Sequence, residues 1–386
     1  MRKIFLTAIA VLSIASAQVF GMYGVTSDWI DFLTHGNQFR ARLQQLGFTL
    51  GNDTIKGTFG FHTGNGGTHG LLFNTEGGSD NIVQTGNWSP DISMGIGYTS
   101  SLISVGVGYN ITIGKIWRGV NGKAQQQTAH TPVLVLNAMD NAFRMAFPIQ
   151  VFSTKNIAQA NNNSLNGDAS STNSVTAVSI DPQFRYYTGL DFLPQIRLLL
   201  YYGHYNKETK DSAKTQKTKL ESFGFQFRLY FGSMVEEVAL QPIIRIAYKT
   251  ALSKHGNTDI KATKIAREGY SIYTTVSEAT PSSDLVPAYE LLIRPSLGLT
   301  ANSDIVSLYL EPYLGYQLNK DVYKSHKVQH NLAYGAYAEI YLRPIQSVEW
   351  YFEADAGNLW NDGNGNPVKG LSFAASTGVT WYLPQF

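Results

Sequence analysis

Apolar and polar residues trade places at every position over long stretches of this chain. From Ser101 to Ile113, one side takes Ile103, Val105, Val107, Tyr109, Ile111 and Ile113, and the other takes Ser104, Gly106, Gly108, Asn110 and Thr112. A period of two is the signature of a β-strand with one face in an apolar medium. Phe223, Phe225, Phe227, Leu229 and Phe231 alternate with Gly224, Gln226, Arg228 and Tyr230. Val306, Leu308, Leu310, Pro312 and Leu314 alternate with Ser307, Tyr309, Glu311 and Tyr313, and Val348, Trp350, Phe352 and Ala354 with Glu349, Tyr351, Glu353 and Asp355. Strands of soluble sandwiches run about 5–6 residues. These segments hold the pattern for roughly 8–13, about what a tilted strand needs to cross a bilayer. The predicted class is all-β: an antiparallel transmembrane β-barrel, because only a closed ring pairs every backbone N–H and C=O in lipid.

Connections support that class. Short ones are predicted near 98–100, 138–141, 191–193, 232–234, 301–304 and 343–346, and long polar ones at 64–89, 114–130, 155–174, 205–217, 253–286, 317–329 and 359–370. Short periplasmic turns and long extracellular loops are the layout of a bacterial outer-membrane barrel. The N-terminal region is ambiguous. Trp29, Phe32, Leu33, Gly36, Phe39, Leu43 and Leu46 have helical spacing, capped by Ser27 or Asp28, yet Phe39, Ala41 and Leu43 also alternate and Gly51-Asn52-Asp53 reads as a hairpin turn. Residues 22–46 are thus a periplasmic or lumenal helix, or a first strand, ahead of a barrel over 47–386. The helical reading gives fourteen strands, which is the expectation, and the all-strand reading gives sixteen.

The two ends fix the compartment. Arg2 and Lys3 precede the apolar run Ile4–Ile14 and small residues, so 1–21 reads as a signal peptide cut after Gly21, with Ala17 the alternative. The run is too short to span a bilayer as a helix. At the other end, Gly378, Trp381, Leu383 and the terminal Phe386 are similar to the C-terminal signal by which the barrel-assembly machinery recognises its clients, a strand-pairing mode of recognition.

Composition removes other classes. Lys and Arg total 30 against 28 Asp and Glu, and without Arg2 and Lys3 the chain is neutral, so no nucleic-acid partner is expected. There is no cysteine, hence no disulfide or thiolate site, and charged residues are only 15%. No Gly-x-Ser-x-Gly elbow or phosphate loop occurs. His326 and His330, four apart, could share a metal on a helix but lie about 13 Å apart on a strand. Neither a catalytic residue, a cofactor nor a metal is expected, and the protein is read as no enzyme.

The segment MYGVTSDWIDFLTHGNQFRARLQQLGFTLGNDTIKGTFGF (22–61) resembles the N-terminal part of the variable surface proteins of Brachyspira spirochaetes, and the terminal VTWYLPQF is compatible with them. The resemblance implies an abundant outer-membrane surface antigen that forms multimers, with loops facing the host or its antibodies. It implies no catalytic residues.

The non-lipid face carries the remaining candidate chemistry. Strand parity points Arg144, Arg185, Arg197, Arg228 and Arg245 inward on consecutive strands, and Glu290, Glu311, Glu339, Glu349, Glu353 and Asp355 inward on later ones. Arg294 and Arg343 interrupt the acidic side, and Asp181 the basic side. Two readings follow: a lumen filled by salt-bridged charges, or a water-filled pore with basic and acidic walls.

Overall fold

The computed structural model describes residues 26–42, 45–63, 90–118, 124–159, 171–211, 214–235, 238–254, 256–269, 272–273, 281–358 and 371–382. The expected signal peptide, the loops 64–89 and 359–370, most of the polar tract 161–174, and Leu383 and Phe386 lie outside these residues.

The chain forms β1 (Gln38–Arg42), β2 (Gln45–Gly51), β3 (Ile55–Thr63), β4 (Pro90–Tyr98), β5 (Ile103–Arg118), β6 (Ala124–Ala138), β7 (Phe143–Gln159), β8 (Ser171–Ile180), β9 (Gln183–Tyr187), β10 (Gln195–Asp211), β11 (Thr215–Tyr230), β12 (Ser233–Val235), β13 (Val238–Ala251), β14 (Tyr289–Asn302), β15 (Val306–Lys320), β16 (Gln329–Ile345), β17 (Val348–Gly357) and β18 (Ser372–Tyr382). Each pairs antiparallel with its neighbours in one sheet, and β1 pairs with β18 through Arg40↔Tyr382 and Ala41↔Trp381, so the sheet closes.

β8 and β9 share the partners β7 and β10 and are one crossing, interrupted at Asp181-Pro182, where proline has no N–H to give the ladder. β11 and β12 likewise form one crossing against β13. The ring therefore has sixteen crossings. The all-strand alternative of sixteen thus holds in place of the expected fourteen. The thirteen strands after residue 63 are as read, but 45–63 is a hairpin of two strands turning at Asn52–Thr54, and Gln38–Arg42 is a further strand. Phe39 and Leu43 satisfied both periods, and the lipid-free face of that hairpin mixes Gly47, Thr49, Thr58 and Gly60 with Gln45, Lys56 and His62, so periodicity alone could not separate the strands.

Several expected loops are also shorter than read. β7, β10 and β16 have 17 residues each and run into polar stretches assigned to loops. A strand that continues past the hydrocarbon loses its apolar face and looks like a loop in sequence.

Two inserts fill one half of the ring. Thr26–Thr34 is a 3-10 segment lying against β5, β6, β7 and β9. Its Trp29, Ile30, Phe32 and Leu33 are buried with Val133, Val135 and Ala146. They rest on a bed of paired lumenal glycines, Gly95↔Gly108 and Gly97↔Gly106. A Cβ at Gly95 would approach the Trp29 ring to 2.6 Å, and one at Gly108 would strike the same ring. The second insert is the connection between β13 and β14. It turns inward instead of standing outside, contrary to the reading of 253–286 as an outer loop. Its helix α1 (Ala262–Glu268) packs on β5, β6 and β7, with Ile260, Ala262, Ile265 and Ala266 against Ala129, Phe152, Val175, Ala177, Tyr205 and Leu220. Lumenal polar groups fix it: Ser179 Oγ accepts from Ala262 N at 3.0 Å, Ser222 Oγ from Ile260 N at 3.1 Å, and Asp91 from Arg267.

Burying each large apolar side chain of the first insert contributes about 1.5–3 kcal/mol. Replacing Gly95 and Gly108 together by Ala therefore should expel Trp29 while leaving the wall paired. Chymotrypsin should then cut the refolded variant at Trp29 or Phe32 but not the wild type. Equal resistance would mean that the glycine bed does not seat the insert.

Candidate functional site

Inward-pointing positions recur at every second residue, and antiparallel register sets which of them meet across strands. The register aligns six arginines in one row. Arg144↔Arg185, Arg185↔Arg197, Arg197↔Arg228, Arg228↔Arg245 and Arg245↔Arg294 are directly opposed pairs on β7, β9, β10, β11, β13 and β14. Arg294, read from sequence as an exception on the acidic side, is the sixth member. Cα atoms of opposed residues lie about 4.5–5.5 Å apart, and like charges so placed repel.

The chain neutralises the row at both ends. Asp31, on the 3-10 insert, sets Oδ1 2.6 Å from Arg144 Nη1 and Oδ2 2.6 Å from Arg185 Nη1. At the far end Arg294 Nη2 lies 3.5 Å from Glu311 Oε1, and its guanidinium stacks 4.4 Å from the Tyr313 ring. Between them Arg197 lies over the Tyr230 ring at 4.6 Å, and Arg228 Nη1 donates to Tyr230 Oη at 3.4 Å.

The acidic residues lie on the facing strands. Glu339 on β16 directly opposes Glu353 on β17, with Tyr337 donating to Glu339 and Tyr309 Oη donating to Glu311 at 2.7 Å. Asp355 is inward on β17, opposite Tyr337. Glu349 is buried among Arg40, Arg42 and Arg343 at 3.5, 3.8 and 2.6 Å, beside the closing seam. Glu290 accepts from Thr258 Oγ1 at 2.7 Å and so anchors the second insert. Sequence reading missed Asp31, Arg40 and Arg42 because it placed them in a helix or an uncertain strand. The signal that would have found the insert is the block of four glycines on neighbouring inward positions.

Gly378 faces the lumen beneath the Tyr351 hydroxyl, and Trp381 faces lipid at the seam, paired with Ala41 and Val348.

The two halves of the lumen differ in solvent contact. Under the inserts Ser93, Thr131, Val135, Ala146 and Ala177 have no exposed surface. On the other half the Arg294, Glu311 and Glu353 side chains keep 12%, 15% and 21%. Arg197, Arg228, Arg245, Tyr309, Tyr337, Tyr341 and Asp355 are half-buried in the same way. A strip of accessible lumen thus runs between the arginine row and the tyrosine–carboxylate wall.

A closed antiparallel sixteen-crossing ring with an outward apolar face and a polar, partly filled lumen defines an integral outer-membrane β-barrel protein. The chain belongs to the Serpulina hyodysenteriae variable surface protein family, whose model matches residues 2–382 and agrees with the resemblance carried by 22–61. No curated protein matches the sequence. Among solved structures, a bacterial polysaccharide outer membrane secretin covers 90% of this chain and 97% of its own at 9% identity and a TM-score of 0.42. OmpT of Vibrio cholerae covers 90% and 97% at 9% identity and 0.34, and the translocator domain of the autotransporter NalP from Neisseria meningitidis covers 92% and 91% at 11% identity and 0.33.

The insert carries two titrating groups outside the strands. Burial pushes the Asp31 carboxyl up, but Arg185 and Arg144 outweigh it and hold it below the usual carboxylate range. Burial pushes the His35 imidazole down to about 4, with Arg144, Lys56 and Arg185 adding repulsion and Asp31 opposing. A depressed pKa means stability is complete above the unfolded value and drains as pH falls toward the folded one. Docking of the insert should therefore weaken from about pH 6.5 toward pH 4 as His35 is driven to charge, and weaken again below pH 4 as Asp31 takes a proton. Chymotrypsin sensitivity at Trp29 against pH reads both phases, and His35→Gln should abolish the first. Asp31→Asn should cost about 3 kcal/mol of docking at neutral pH, because it leaves the buried Arg185 and the half-buried Arg144 without their carboxylate. A variant as protease-resistant as the wild type would show the ion pairs to be dispensable.

Proposed function

We propose that this protein is a surface-exposed outer-membrane barrel whose lumen carries a narrow, charged aqueous channel for small ions and solutes. One observation supports the reading above the rest: the strip between the arginine row and the Tyr309–Tyr337–Tyr341 wall retains accessible surface and holds no apolar cluster among the described residues, whereas the two buried apolar clusters of the inserts lie on the opposite half. A lumen filled for stability alone would bury both halves. Charged walls in a confined aqueous path set ion preference, because their potential acts over the pore radius with little screening.

The surface-antigen reading coexists with this one. It is supported by the family description and by the long polar connections at 64–89, 160–170 and 359–370, and in it those loops meet the host surface or antibody. Export by the N-terminal signal, recognition of the last strand by the assembly machinery, contact with outer-membrane lipid and self-association complete the proposal. It includes no catalytic step.

The test is single-channel recording from the refolded chain. With positive and negative walls facing each other, the wild type should be weakly selective. Changing Arg228 and Arg245 together to Gln should move the reversal potential toward cation preference. The move should be larger at about 0.01 M salt, where the Debye length is about 30 Å, than at about 0.1 M, where it is about 10 Å. Removing residues 22–36 should raise conductance by emptying part of the lumen. A barrel that conducts neither with nor without that segment refutes the channel and leaves the surface-antigen reading.

A further inference from the structure

We infer that the middle of the arginine row, Arg197, Arg228 and Arg245, is a binding site for a doubly charged tetrahedral oxyanion of the phosphate class. The inference rests on the aqueous half-lumen for access and adds the class of solute that the channel would hold.

The chain itself provides the template. Asp31 is a carboxylate on a separate segment, and it binds by giving one oxygen to each of two opposed arginines, both at 2.6 Å. The pairs Arg197↔Arg228 and Arg228↔Arg245 repeat the Arg144↔Arg185 register two and three strands further on. A row that accepts one bridging oxyanion at its first pair has the spacing to accept another at its third and fourth. The far end is also occupied, because Glu311 takes Arg294.

Arg197 and Arg245, on either side of Arg228, have no such partner. Neither Arg197 nor Arg245 has a carboxylate at ion-pair distance among the described residues, and the buried Nε atoms of both lack a hydrogen-bond partner. What the chain supplies here is Tyr230, whose ring stacks under Arg197 and whose hydroxyl sits beside Arg228. A phenol satisfies part of a guanidinium's donor set but cancels no charge. Two cations without a carboxylate, flanking Arg228 on the strand between them, call for a mobile anion, and the buried unpaired Nε donors of Arg197 and Arg245 carry a cost that binding removes. The flat, forked guanidinium fits the edge of a tetrahedral oxyanion with two parallel bonds, and chloride cannot use that geometry. Two or three facing forks favour a dianion over a monocarboxylate.

The experiment uses the full refolded chain with inorganic phosphate as the probe, sulfate as a second dianion and chloride as the background. Phosphate in the millimolar range should reduce the single-channel chloride current in a saturable manner. In detergent it should raise the unfolding temperature beyond what chloride does at equal ionic strength. Arg197→Lys with Arg245→Lys keeps both charges and removes both forks. It should weaken the saturable block by about tenfold while anion permeability persists. Should the double variant not fold, either single Lys variant carries the same expectation at smaller size.

Block and thermal shift unchanged in the Lys variants would mean a general electrostatic attraction and would overturn the site. Current without any phosphate-specific block or shift overturns the site and leaves the channel. A phosphate shift that the Lys variants lose, in a barrel that carries no current, upholds the site and overturns the channel. Absence of current and shift alike overturns both.

Discussion

Closure of the backbone ladder is the constraint on which the rest depends. In hydrocarbon each unpaired N–H or C=O costs several kcal/mol, so the sheet must end where it began. The seam at Ala41↔Trp381 and Arg40↔Tyr382 does this with a short first strand. Sixteen crossings then fix a ring too wide for its own side chains to fill. The two inserts follow from that width. They enter where the wall has given up side chains, on the glycines of β4 and β5 for Trp29 and Leu33, and at Gly114 and Gly203 for the β13–β14 connection.

The same ring decides the electrostatics. Alternation puts arginines inside, and register lines them up, so a repulsive row of six arises from residues far apart in sequence. The protein relieves the row locally. Asp31 joins the first two members and in doing so ties the N-terminal segment to the wall, which makes one ion-pair pair both a charge balance and a latch. Glu311 relieves the last. Glu349 performs the matching task at the seam, where Arg40 and Arg343 come from opposite ends of the chain and meet over one carboxylate. Such buried clusters contribute little net stability, but breaking one partner is costly, so they specify arrangement more than they strengthen it.

One sector of the lumen is consequently a packed core and another carries charged side chains with accessible surface. The apolar cluster around Phe152, Val175 and Ile265 would be at home in a soluble domain, whereas Glu353 and Arg294 keep accessible surface a short distance away across the ring. The buried clusters and the accessible charged side chains thereby occupy different sectors of one wall.

From the sequence alone came the strand period, the inward and outward faces, the thirteen crossings after residue 63 and the inward direction of Arg144, Arg185, Arg197, Arg228 and Arg245. These are local properties, because the solvent on each side of the wall selects each residue in turn. The count of sixteen was open, since Phe39 and Leu43 satisfy helix and strand spacing together. Only the tertiary structure decided that Arg294 belongs to the basic row, that Asp31 spans its first pair, and that the β13–β14 connection lies inside. Register between distant strands and the filling of a ring are set by the closure of the whole, and no window of neighbouring residues contains that information.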